Sequence, residues 1–346
     1  MLIRENVPLA PLTTLHVGGA ARYFAEADSL AVVVDAVAYG LKIGAPLFVF
    51  GGGSNLVVSD NGWPGLVLKI AIRGIDRHPS SDLFEVGAGE SWDEFVAFAV
   101  EHNFAGVECL SGIPGSVGAT PVQNVGAYGQ EVAETIDSVL VLDLRDGQVR
   151  ELCNEACGFS YRTSIFNTSD RGRFVILRVN FKLEESGEPR VAYADLKRYF
   201  ENHNARPTLA EVRRAVRTIR AGKGMLIMTD DDDSRSAGSF FKNPVLSDED
   251  YKLLQQRAAE RGLTVPNYPA LNAFKKISAA WLVENAGFSK GYSRGSVGIS
   301  HKHALAIVNR GAAKAADIVA LENEIQDRVA QHWGVHLEPE PVFVGF

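Results

Sequence analysis

Three short segments set a reactive side chain beside structural punctuation. In residues 161–166 (YRTSIF), Arg162 stands among aromatic and apolar neighbours. A guanidinium in such a setting can hold a carboxylate through two parallel N–H bonds. The plainer reading is an exposed arginine between two hydrophobic anchors. In residues 236–244 (SAGSFFKNP), Ser239 follows Gly238 and precedes two phenylalanines, with Lys242 and Asn243 close by. No G-x-S-x-G elbow accompanies it, so serine hydrolysis has little support. A serine hydroxyl can give up a proton only to a strongly basic acceptor such as a carbanion; the commoner fate of such a residue is a turn or a cap. The third segment is Glu338-Pro339-Glu340-Pro341, alternating with Leu337, Val342 and Val344. Solvent is the default for its polar side chains, and spacing alone does not choose between the two glutamates.

Two glycine clusters add a different chemistry. Residues 111–129 (SGIPGSVGATPVQNVGAYG) carry no charged side chain, yet they include Ile113, Val117, Val122, Val125 and Tyr128. A long uncharged loop that keeps apolar residues is unlike a disordered linker and has the character of a functional loop. Upstream, Gly51-Gly52-Gly53-Ser54-Asn55 lies between the strand-like runs 46–50 and 56–58. Glycine lets a backbone approach a ligand and present bare N–H groups, which suits a phosphate-bearing cofactor. Neither G-x-G-x-x-G nor G-x-x-x-x-G-K-[ST] is present, so nicotinamide-type Rossmann and P-loop folds lose their main support.

Composition narrows the class. The chain has 346 residues, 46% hydrophobic and 22% charged, as expected of a globular protein of two or three domains. A net charge of −7 speaks against nucleic acid as a partner. No apolar run approaches the ~20 residues that span a bilayer, and residues 1–11 show no secretory h-region. Cys109, Cys153 and Cys157 form no C-x-x-C pair, which points to a reducing compartment, the cytoplasm, and to neither a disulfide framework nor a zinc site. The histidines form no H-E-x-x-H motif; His301 and His303 read as lining residues, and the aspartates 230–233 read as a solvated run. No metal is expected.

The positioning elements are legible in outline. Residues 27–44 form an amphipathic helix, Ser91–Glu94 a capping box opening a second, and Thr208–Glu211 another box opening a helix that stops near Gly222. Further helices fall over 247–261, 277–286 and 312–333. Asp146-Gly147 marks a hairpin between 139–144 and 148–152. Residues 174–183 alternate like a half-buried strand, and shorter strands cover 305–309 and 341–346. Strands and helices mix without a strict β-α-β rhythm, so the class is α+β. Composition changes suggest cuts near 70, 205 and 335.

The ordered blocks TLHVGG (14–19), GGGSN (51–55), IPGSVGATPVQNVGAYG (113–129), YRTSIF (161–166), AGSFFKNP (237–244), AAWL (279–282) and LEPE (337–340) resemble the bacterial UDP-N-acetylenolpyruvoylglucosamine reductases over nearly the whole chain. The resemblance implies a two-part FAD-binding module of the vanillyl-alcohol-oxidase (PCMH) type, subdomains 1–70 and 71–205, followed by a C-terminal α/β substrate-binding domain over 206–335. The terminal strand, 336–346, is a candidate to return to the first subdomain. FAD would be held by Gly51, Gly52, Gly53, Ser54, Asn55, Ile113, Pro114, Gly115, Gly118, Ala119, Gln123, Asn124, Gly126, Ala127 and Tyr128. NADPH would be the hydride-donating co-substrate, and UDP-N-acetylglucosamine enolpyruvate would be reduced to UDP-N-acetylmuramate for peptidoglycan. By the same resemblance, Ser239 falls at the proton donor, and Arg162 and Glu340 at the pair that polarises the enolpyruvyl carboxylate. Tyr193 is similar to the substrate-loop tyrosine of one subgroup, and Lys223 and Asn243 fall among substrate contacts; His303, as a lining residue, is set beside them as a substrate-binding candidate. The implied partner is a small UDP-sugar, with no obligate protein partner. Lys223 departs from the family pattern in being followed by Gly-Met, and Pro341 in replacing a more usual valine.

Overall fold

The computed structural model describes residues 1–78, 81–203, 205–269 and 274–346. The chain divides into two compact units. The first comprises Met1–Val7, Ala21–Gly53 and Pro64–Gly222; the second comprises Pro8–Ala20, Ser54–Trp63 and Lys223–Phe346. The linear cuts near 70 and 205 do not coincide with these boundaries. The Leu209–Gly222 helix belongs to the first unit, and two short N-terminal segments belong to the second.

The first unit is built on two sheets, and its mixed layers are α+β. One runs in the order Arg4–Pro8, Ala20–Ala27, Trp63–Ile70, Leu47–Phe50, with the last pair parallel; the Leu30–Lys42 helix lies in the chain between Ala20–Ala27 and Leu47–Phe50. The other is antiparallel, in the order Val149–Cys153, Ile136–Asp143, Phe174–Lys182, Leu83–Gly87, Ile75–Arg77. The hairpin expected at Asp146-Gly147 joins the first two of these strands, with Gly147 at φ +70°. Phe174–Lys182 is buried at six of its nine residues, in runs of three rather than at every second position, because it is the central strand and both of its faces are covered.

The Trp92–Glu101 helix packs on this antiparallel sheet. Its buried residues Trp92, Phe95, Val96, Ala99 and Val100 recur at three- and four-residue steps. Phe95 meets Phe84 at 6.3 Å and Phe181 at 4.9 Å between ring centroids. The expected Ser91 capping box is not formed: Ser91 makes no side-chain cap and bridges Ser116 instead, and the first-turn acid Asp93 accepts from Gly112. The Thr208–Glu211 box does form, with Thr208 N–H donating to Glu211 at 2.7 Å and Glu211 N–H returning to Thr208 Oγ1 at 3.3 Å.

The second unit holds two three-stranded antiparallel sheets, Val245–Leu246 with Lys275–Ile277 and Asn267–Pro269, and Ser293–Arg294 with Val297–Ile299 and Ile307–Asn309. Its long helix, Ala315–Trp333, buries Ile318, Leu321, Ile325, Val329 and Trp333 along one face. This helix begins three residues later than the periodicity suggests. Asn309 Oδ1 takes the N–H groups of Gly311 and Ala313, and Asp60 caps the first turn by accepting from Ala315 and Ala316 at 2.9 and 3.0 Å. Buried Asn309 also donates to the Leu15 carbonyl, and Val342–Val344 pairs in parallel with Leu56–Val58. These bonds explain why 8–20 and 54–63 fold with the C-terminal segment. His332 and His336 are four apart, but the helix ends between them at Gly334, φ +70°, so they share no helical face. Among the described residues no helix is long and apolar enough to cross a membrane, and no His/Cys/Asp/Glu group could hold a metal ion.

Phe95 is fully buried among three aromatic rings. Phe95→Ala is therefore expected to cost about 3–5 kcal/mol in the first unit's stability, read from denaturant titration followed by tryptophan fluorescence.

Candidate functional site

The first unit brings its two glycine clusters together. A Cβ built on Gly52 would stand 2.6 Å from Gly115 Cα and 2.9 Å from Ser116 N, and one on Gly51 would stand 2.8 Å from Ser116 Oγ. Only backbone without side chains can approach this closely. The 111–129 loop is held from Gly115 to Gly118 by residues 88–92, before and at the start of the Trp92–Glu101 helix. Trp92 N–H donates to Gly115 O, Val117 N–H to Glu90 O, and Gly118 N–H to Ala88 O. A Cβ on Gly118 would lie 2.6 Å from Ala88 Cβ. The N–H groups of Gly51, Gly52, Gly53, Gly115 and Ser116 donate to no protein acceptor among the described residues. Close-set, unengaged amides on an uncharged surface fit the diphosphate of a flavin nucleotide. Ile113, Pro114 and Ala119 are half-buried neighbours on the same loop.

Arg162 is tied to this loop. Its Nη2 donates to Gly126 O at 2.9 Å, Ser164 Oγ donates to Val122 O at 2.6 Å, and Asn124 Nδ2 donates to Ser160 O at 3.1 Å. Asn124, Tyr128 and Arg162 all have left-handed backbone, at φ 44°, 49° and 55°. Each costs roughly 1–2 kcal/mol without glycine; such strain persists where the surroundings over-determine it. The Asn124 side chain is fully engaged: it donates to Glu131 and Ser160 and accepts from Ala133 N–H. What it offers a ligand is backbone. Tyr128 is buried and meets the exposed ring of Tyr193 edge-on at 5.5 Å. Tyr193 is the N-cap residue of the short Ala194–Tyr199 helix. Gly126 and Ala127 form a short antiparallel pair with Gln130–Glu131, leaving Gln123 half-buried at the loop's turn.

Sequence reasoning missed the residues that hold the loop's two ends. Asp93 accepts from Gly112 N–H at 2.6 Å and from Arg213 at 2.6 Å, and it pairs with Arg217. Burial opposes its charge, but the bonds from Arg213 and Gly112 and the nearby guanidinium charges outweigh it and hold the carboxyl below its ordinary range. Arg220 donates to Gly112 O at 3.1 Å; burial pushes its guanidinium down, and Tyr128 and Asp93 support its charge. Arg213, Arg217 and Arg220 recur at helical spacing, a signal that reads as a solvated face until the helix is docked.

The second unit sets the other candidates. Residues around Ser239 run as an extended segment: Phe240 N–H donates to Leu305 O, Glu340 N–H to Phe240 O, and Lys242 N–H to Glu338 O. Phe240 and Phe241 are buried, and Ser239 is half-buried between Gly238, φ +77°, and Phe240. Ser239 and Glu340 thus lie on neighbouring extended segments joined by backbone bonds and an isolated bridge at Phe241 and Pro339. Glu338 is exposed and pairs with Lys242 at 3.3 Å, whereas Glu340 is half-buried. Asn55 Nδ2 donates to the Glu340 carbonyl at 3.2 Å, and Ser54 O accepts from Thr14. Asn243 Oδ1 accepts from Ala279 N–H at 2.9 Å, capping the Ala279–Glu284 helix. His303 is pushed down to about 4 by burial, with Lys223 and then Lys290 adding positive charge nearby. Its Nδ1 accepts from Leu305 N–H, so the neutral ring carries its proton on Nε2. A neutral donor beside Lys223 suits an anion.

Comparison with known proteins agrees with both halves. Residues 21–152 match the family described as FAD binding domain, and residues 230–344 match UDP-N-acetylenolpyruvoylglucosamine reductase, C-terminal domain. The chain is 46% identical over 349 residues to the UDP-N-acetylenolpyruvoylglucosamine reductase of Thermobifida fusca (strain YX), covering 99% of this chain and 98% of that protein. The chain belongs to this reductase family. It is similarly 46% identical over 347 residues to the Streptomyces coelicolor enzyme of the same name, covering 99% and 90% of the two. The solved structure of the Thermus caldophilus reductase superposes with a TM-score of 0.67 at 29% identity, over 99% of this chain and 100% of that one. Membership of the family carries its flavin module, the PCMH type, together with the reductase C-terminal domain.

Two outcomes follow from the geometry. Gly52→Val is expected to abolish most FAD retention, because the side chain must displace Gly115 backbone; the flavin absorbance per purified protein reads it. For His303 the folded imidazole is harder to protonate than the unfolded one at 6.5. Its contribution is intact above pH 6.5 and is lost as pH falls toward 4, since the unfolded chain binds the proton first. His303→Gln should flatten the fall of the unfolding midpoint across that window.

Proposed function

We propose that Arg162, Ser239 and Glu340 carry the reaction of an FAD-dependent reductase acting on UDP-N-acetylglucosamine enolpyruvate, with NADPH as the reductant. The enzyme class and FAD follow from the family. The observation that carries the cofactor assignment is the close approach of Gly51–Gly53 to Gly115–Ser116 with their amides unengaged. Gly51–Gly53 and the 113–128 loop would hold the nucleotide, and the flavin, once reduced by hydride from NADPH, would supply the hydride to the substrate.

An enol ether accepts hydride poorly unless charge developing beside its carboxylate is stabilised. A new C–H bond forms at the terminal vinyl carbon, and the C=C electron pair moves to the carbon bearing the carboxylate. Arg162 supplies a fixed cation to that carboxylate, and protonated Glu340 donates to it. Ser239 gives its proton to the carbanion from one face, and the serine is reprotonated from solvent. Tyr193, Lys223, Asn243 and His303 bind the UDP-sugar. The free cysteines accord with a cytoplasmic enzyme of peptidoglycan precursor synthesis.

Ser239→Ala tests the assignment. Reduction of the bound flavin by NADPH should survive, while UDP-N-acetylmuramate formation should fall about 10²–10⁴-fold, the usual contribution of a positioned proton donor. Stopped-flow absorbance separates the two half-reactions; unchanged product formation would remove Ser239 from the mechanism.

A further inference from the structure

We infer that Asp93, with Arg213 and Arg217, is a positioning cluster that fixes the entry of the glycine loop and so sets its affinity for FAD. The inference rests on the assignment of that loop to FAD. Gly112, at φ +72°, is the residue from which the loop departs, and it is buried. Both of its polar backbone groups are bound by side chains from outside the loop: its N–H by Asp93, its C=O by Arg220. Three residues on lie the unengaged amides of Gly115 and Ser116. Their direction is set from two sides, by the bonds of 88–92 to Gly115–Gly118 and by the hold on Gly112, since Ile113 and Pro114 between them have no secondary structure of their own.

Asp93 does two jobs with one carboxylate. Oδ1 accepts from Gly112 N–H and from Arg213 Nη1, Oδ2 accepts from Arg217, and Arg213 Nη2 also reaches the Asp93 carbonyl at 3.3 Å. The Trp92–Glu101 and Leu209–Gly222 helices are thereby locked to each other and to the loop entry. The side chains of Asp93 and Arg213 are only 26% and 17% exposed, so this is not a screened surface pair. Neutralising Asp93 leaves two guanidinium groups without their counter-charge, and removing the arginines frees the carboxylate to turn away from Gly112. Either change loosens the loop at Gly112.

The experiment uses the full chain stripped of flavin and titrated with FAD, following quenching of flavin fluorescence. Asp93→Asn and the Arg213→Gln/Arg217→Gln pair should each weaken FAD binding about tenfold or more, a loss on the scale of one charge-assisted hydrogen bond. Arg217→Lys, keeping the charge, should recover most of it. If Asp93→Asn does not fold, the arginine pair, which leaves the carboxylate in place, carries the test. Equal FAD affinity in folded variants, even with a lowered apoprotein melting temperature, would make the cluster merely structural and overturn the inference. Failure of the unmutated apoprotein to bind FAD would instead overturn the cofactor assignment beneath it.

Discussion

The first unit turns on the close approach of the bare backbone of Gly51–Gly52 to Gly115 and Ser116. A Cβ at Gly52 would fall within 2.6–2.9 Å of main-chain atoms, closer than any side chain tolerates. That proximity lines up N–H groups that have no protein acceptor among the described residues, on glycines that range from exposed Gly52 to buried Gly53, where a ligand can reach them. The surroundings are arranged to hold it. The 88–92 segment pins the loop from Gly115 to Gly118, Asp93 and Arg220 clamp Gly112, and the Ser160–Ser164 turn ties down Val122–Gly126. Left-handed backbone at Asn124, Tyr128 and Arg162 is the local cost of this geometry.

The second unit uses a different device. Its candidate residues are set by backbone pairing among segments far apart in the chain: 239–242 bonds to Leu305 on one side and to 338–340 on the other, and Asn55 holds the Glu340 carbonyl. Buried Asn309 and the Asp60 cap bring the early segments into the same unit. Polar side chains here serve as ties between distant segments, which holds the candidate residues without left-handed backbone at Ser239 or Glu340.

Several elements were readable because their determinants are local. The Asp146-Gly147 hairpin, the Thr208–Glu211 box and the apolar face of Ala315–Trp333 each depend on residues within a turn or two. Others were not. Ser91-x-x-Glu94 has the residues of a capping box, but the approach of Ser116 and Gly112 redirects Ser91 and Asp93 to the loop. Phe174–Lys182 alternates like a half-exposed strand, yet its place at the centre of the sheet buries both faces. Arg213, Arg217 and Arg220 form a solvated stripe by pattern and a clamp by docking.

The residues by themselves determined the chemistry on offer: bare amides in two glycine runs, a guanidinium, a shielded hydroxyl and a terminal glutamate, in an order that marks a reductase family. Such motifs are short, and their side chains act at a single residue, so type and sequence are enough to reveal them. Only the tertiary structure decided that the two glycine runs meet, that Asp93 serves the loop and not its own helix, and that 8–20 and 54–63 fold with the C-terminal segment. Those outcomes depend on contacts between residues tens to hundreds of positions apart, where no local spacing carries the information.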